Sequence, residues 1–133
     1  MKVFLAPPGD PEPGFESNPI AIIDFAEGGT YFFLYRYLLR IRDDTGQIIE
    51  NCGFAHFEMA QVDRGLHDLT AARKAAHLKA EVFEQHVGRQ VTPMQRDLYE
   101  TVARSALLDT IDQLANAFRK GKDLGMDVYC VSE

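Results

Sequence analysis

The residues best suited to chemistry fall together in the stretch His56-Phe57-Glu58. Along an extended strand, side chains two residues apart point the same way, so the imidazole and the carboxylate would share one face. A carboxylate beside an imidazole steadies the imidazolium, as general acid–base work requires. Arg36 would lie diagonal to His56 across a hairpin and hold an anion there. His56, Glu58 and Arg36 are therefore the candidate catalytic set. His67 and Asp68 follow, and His-x-Glu with a later His is also the residue set of a non-haem iron facial triad. That spacing is unselective, and the barrels that carry such sites are larger than this chain builds, so no metal and no cofactor are expected.

Other catalytic signatures are missing. Gly28-Gly29 is an isolated turn rather than a phosphate-binding loop, and no nucleophile elbow, paired-cysteine spacing or helical His-Glu-x-x-His occurs. His77 and His86 lie on opposite sides of an ideal helix and read as solvent-facing. Tyr31, Tyr35 and Tyr37 would line a small-ligand pocket with His77 only if a space remained between sheet and helices. Cys52 and Cys130 read as buried free thiols in a reducing compartment, with a bridge between them as the alternative.

The candidate residues need a scaffold, and residues 31 to 59 supply the strongest pattern. Asp43-Asp44-Thr45-Gly46 suits a type I turn ending in a left-handed glycine, the three-residue hairpin with a bulge. The register that follows pairs Tyr31 with Met59, Phe33 with Phe57 and Tyr37 with Gly53 on an apolar face. The other face pairs Phe32 with Glu58, Leu34 with His56, Arg36 with Phe54 and Arg40 with Glu50. Around this hairpin, Met1 to Leu5 reads as a strand, Ala6 to Pro19 as a loop holding five of the six prolines, and Ile20 to Phe25 as a second strand.

Two helices are expected next. The stripe Leu69, Ala72, Ala76, Ala80, Phe83 and Val87 predicts a helix from residue 64 or 69 to 87, ended by Gly88. Thr92-Pro93-Met94-Gln95 reads as a capping box opening a helix that runs to Gly121, about 27 residues and about 40 Å long. Met126 to Val131 reads as a closing strand. The expected fold is a single α+β domain over residues 1–133. It is a mainly antiparallel sheet with a long central hairpin, two C-terminal helices on one face and a short C-terminal strand.

Composition narrows the function. With 133 residues, 46% hydrophobic and 11% aromatic, the chain has ample material for one core and is not disordered throughout. No window approaches the roughly 20 apolar residues of a membrane span, and no secretory leader is seen, so the expected location is cytoplasmic. Twenty acidic residues against 14 basic ones give a net charge of −6. The five lysines are scattered, so nucleic acid is not an expected partner.

The second hairpin face mixes aromatics with Arg, as protein–protein interfaces do. The expected function is a small acidic module that binds a protein and inhibits or regulates it, a class-level likeness to bacterial immunity proteins and phage-encoded inhibitors. Its expected contact residues are Phe32, Leu34, Arg36, Arg40, Phe54, His56 and Glu58, with Asp10, Glu12 and Glu16 of the proline-rich loop steering the approach. A homodimer through the helix at 93–120 is compatible with that reading. The alternative is a small enzyme or ligand-binding domain built on His56, Glu58 and Arg36.

Overall fold

A computed structural model describes residues 1–9, 18–25, 28–50 and 53–132. The chain is α+β, with antiparallel sheets. In order it forms β1 (Lys2–Ala6), β2 (Ala21–Ile22), α1 (Gly28–Thr45), β3 (Gly53–Phe57), α2 (Met59–His77), β4 (Val82–Gln90), β5 (Arg96–Ala103), α3 (Arg104–Leu124) and β6 (Asp127–Ser132). Four strands make one sheet in the order β2-β1-β6-β3, and β4 and β5 form a separate two-stranded ribbon. In the main sheet Phe4 lies opposite Tyr129, which lies opposite His56.

Period-two alternation sorts that sheet. Val3, Ala55, Phe57, Val128 and Cys130 join the main core, which α2 and α3 also supply. Phe4, Ala6 and Tyr129 form a second buried cluster, with Val131 packed against it. The central strand β6 is buried on both sides, and its run of apolar residues reflects that.

The expected central hairpin does not form, because residues 31–41 follow a helical period instead of a strand period. Gly29, Phe33, Leu34, Tyr37, Leu38, Ile41 and Thr45 are the buried positions of α1, spaced by one, three and four. A strand would have turned Leu34 and Leu38 away from Phe33 and Tyr37; one turn of helix brings all four into the same core. Gly46 takes the left-handed conformation expected of it, with φ 77°, and its N–H bonds the Arg42 carbonyl at 2.7 Å. It thereby ends a helix where a strand turn was expected. The sequence partner segment splits likewise, into β3 and the start of α2.

The two expected helices are also redistributed. Val62, Leu69, Ala72 and Ala76 do line the buried face of α2. The helix stops at His77, however, and Phe83 and Val87 belong to β4, which bulges between His86 and Gly88. Alternating Val82, Glu84 and His86 outward and Phe83, Gln85 and Val87 inward suits a half-covered strand. The Thr92-Pro93 segment connects β4 to β5 and contains a cis peptide bond. The long helix at 93–120 is therefore a strand to Ala103 and a helix from Arg104. Its apolar residues Leu107, Ile111, Leu114 and Phe118 all lie in the core, which removes them from any contact with a second copy. The closing strand is present as expected.

α1 packs against α2 and against the ribbon. Two residues of β5 hold its first turn. Glu100 accepts the Gly29 N–H at 2.8 Å, placing a carboxylate at the positive end of the helix. A side chain at Gly29 would collide with Val102 Cγ2, so glycine is what allows this approach.

Candidate functional site

The expected contact residues separate into three places. Phe32, Arg36 and Arg40 are exposed on α1, whereas Leu34 on the same helix is fully buried and unavailable to a partner. Phe54 and His56 lie on β3, and Glu58 leaves the strand to become the N-cap of α2. Asp10, Glu12, Glu16 and Cys52 lie outside the described residues. Cys130 is a buried free thiol, and burial pushes its pKa up to about 12.

The candidate catalytic set is not assembled. Glu58 does not accompany His56, because the strand rule that paired them ends at Phe57; Gln61 Oε1 instead receives the Glu58 N–H at 2.8 Å. His56 takes another partner. Its Nε2 lies 2.8 Å from Asp127 Oδ2, its ring stacks on Tyr129 at 4.3 Å with 7° between planes, and its backbone N–H reaches Gln47 Oε1 at 3.1 Å. The Asp127 side chain is 4% exposed and that of His56 33%, making this a pair at the edge of burial. Arg36 stands on α1, in a different constellation.

That constellation is a groove of about 310 Å³ between α1 and the ribbon. Phe32, Arg36 and Tyr37 enter it from α1, Lys79 from the turn after α2, and Glu84, His86 and Tyr99 from the ribbon. Phe32 is 45% exposed and Tyr99 56%, large apolar surfaces left to solvent. The Lys79 ammonium sits 5.1 Å from the centre of the Phe83 ring and 5.9 Å from that of Phe33, where the negative ring faces attract it. Glu84 Oε1 accepts the Thr101 hydroxyl at 2.6 Å, and His86 Nε2 faces Asp97 Oδ1 at 3.2 Å. Among the described residues, no carboxylate stands within ion-pair distance of Arg36 or Lys79.

A third cluster joins the last turn of α1 to α2. The Asp68 carboxyl is buried, one of its oxygens has no donor, and its neighbour is the carboxyl of Asp44. Burial, and then the hydrogen bond and charge of Asp44, push its pKa up to about 6, against a smaller downward pull from His67 and Arg40. Two carboxyls in contact share a proton more readily than they both ionise. Among the described residues, no three His, Cys, Asp or Glu side chains gather to hold a metal ion. No helix among them is long and apolar enough to cross a membrane.

Sequence reasoning found Phe32 and Arg36 but missed Lys79 and Tyr99, which tertiary packing alone brings to them. Asp127 was within reach, since it shares its parity with Tyr129 at the head of an apolar strand. No protein-family model, curated protein or solved structure matches the chain.

Proposed function

We propose that this chain is a binding module that engages a partner protein, and so inhibits or regulates it, through the α1–ribbon groove and its rim. One observation carries the reading: Phe32 and Tyr99 stand exposed on two different elements, on either side of a groove that also holds Arg36. Exposed aromatics clustered with Arg are the side chains that dominate binding energy at protein interfaces. Helix and strand fix the backbone beneath both rings, which leaves only their side-chain torsions to be ordered on association. The contact set is thus revised: Phe32 and Arg36 stay, Tyr99 and Lys79 join them, and Leu34 leaves it.

The test compares tagged wild-type protein with Phe32→Ala/Tyr99→Ala and with Leu124→Ala, an exposed apolar control on α3. Substitutions at exposed sites shift stability by about 1 kcal/mol or less, so loss of folding does not confuse the result. In extracts of the source organism, a specific protein should be retained by wild type and control and lost with the double variant. Equal retention by all three refutes the proposal, as does no retained protein at all.

A further inference from the structure

We infer that the groove between α1 and the ribbon receives an acidic segment of the partner protein, with a carboxylate between Arg36 and Lys79 and an adjoining apolar side chain against Phe32 and Tyr99. This inference rests on the binding proposal above and adds the chemistry of the occupant. Although the chain as a whole carries a net charge of −6, Arg36 and Lys79 both line this groove, and among the described residues neither has a carboxylate within ion-pair distance. They stand on separate elements, so together they present two positive charges to whatever enters.

Their backbones are held. Arg36 lies within α1, and Lys79 donates its N–H to the Ala76 carbonyl at 3.1 Å while its own carbonyl accepts from Arg104 Nη1 at 2.9 Å. Arg offers a planar fork that matches a carboxylate, and Lys a point charge whose stem lies along aromatic rings. Glu84, the acid that lines the groove, accepts the Thr101 hydroxyl, and Arg36 and Lys79 outnumber it two to one. A groove of about 310 Å³ has room for a few side chains of a partner segment. Nucleic acid fits less well, because a phosphate chain needs a track of Lys and Arg and would meet repulsion from a net-acidic surface.

The experiment is a fluorescence-anisotropy titration of the full chain with three dye-labelled probes. They are a short peptide alternating glutamate and phenylalanine, its counterpart with lysine for glutamate, and a single-stranded DNA oligonucleotide. The glutamate peptide should bind, and binding should weaken about tenfold or more in Arg36→Glu/Lys79→Glu and as salt rises. Arg119→Glu on α3, which changes the net charge away from the groove, should alter affinity by no more than about twofold. The milder Arg36→Gln/Lys79→Gln variant repeats the measurement if the charge reversal does not fold. Failure of the glutamate peptide to bind, equal binding of the lysine peptide, preference for the oligonucleotide, or indifference to the substitutions each overturns the inference. So does a monomer–dimer equilibrium in sedimentation that Arg36→Glu abolishes, which would seat a second copy in the groove. Lysine-peptide binding that Phe32→Ala/Tyr99→Ala removes would sink the acidic occupant yet leave the binding proposal standing. Unchanged partner retention in that double variant would sink both.

Discussion

Asp68→Asn should stabilise this protein at neutral pH, against the usual expectation for a buried polar residue. Asp68 is 4% exposed, and a carboxylate oxygen there lacks a donor. Its pKa rises from 3.8 in an unperturbed carboxyl to about 6 in the fold, first through burial and then through Asp44. The folded protein therefore holds the proton more tightly than the unfolded chain does. The stabilisation is fully present below about pH 4 and is lost as pH rises through about 6. At roughly 1.4 kcal/mol per pH unit, ionising this group in place costs about 2–3 kcal/mol at neutral pH. Asparagine has nearly the same shape, cannot ionise, and donates its amide N–H to the Asp44 carboxylate. The variant should gain about 2–3 kcal/mol over wild type near pH 7.5, roughly 5–10 °C in Tm, and the gain should vanish near pH 4. Urea denaturation followed by far-ultraviolet circular dichroism at several pH values measures both. A variant no more stable than wild type at neutral pH, or a difference that grows on acidification, would refute the reasoning.

Two further substitutions test how the other clusters are held. His56→Ala leaves the buried Asp127 carboxylate without its imidazole and should cost about 2–4 kcal/mol in urea denaturation; adding Asp127→Asn should recover part of that loss. Gly29→Ala drives a methyl group into Val102 and should cost about 1–3 kcal/mol, and the same variant should bind the glutamate–phenylalanine peptide less tightly because it shifts the ribbon relative to α1.

The boundary between what could and could not be read from sequence follows physical lines. β1 and β6 were legible because short, nearly continuous apolar runs between turn residues have few other uses. The buried face of α3 from Leu107 onward was legible because its stripe keeps a helical period for four turns. Residues 31–41 were not, because Tyr31, Phe33, Tyr35 and Tyr37 all fall on odd positions and a strand period can be fitted to them. Only the adjacency of Phe33 with Leu34 and of Tyr37 with Leu38, all four buried, marks the helix. Gly46 shows the same limit at one residue: its left-handed backbone was read correctly, but that conformation serves hairpin turns and helix ends alike. At the site, Phe32 and Arg36 were found from their types. Lys79 and Tyr99 were not, because they had been placed inside two helices that the ribbon replaces.

The groove depends on how the ribbon is attached. A two-stranded ribbon has little stability alone in water, so β4 and β5 hold their position through what their inner faces touch. Phe83 packs its ring edge against Phe33 of α1 at 6.0 Å, Val102 approaches the bare backbone of Gly29, and Glu100 closes the first turn of the helix. These three contacts lie on inward-facing positions, while Glu84, His86 and Tyr99 occupy the alternate, outward ones. Strand alternation thus divides one short element into a side that anchors it to α1 and a side that lines the groove proposed to bind a partner. Because the two sides share a backbone, any change that loosens Gly29 or Glu100 should move Tyr99 relative to Phe32 and Arg36, so the binding proposal requires that such a change lower affinity as well as stability.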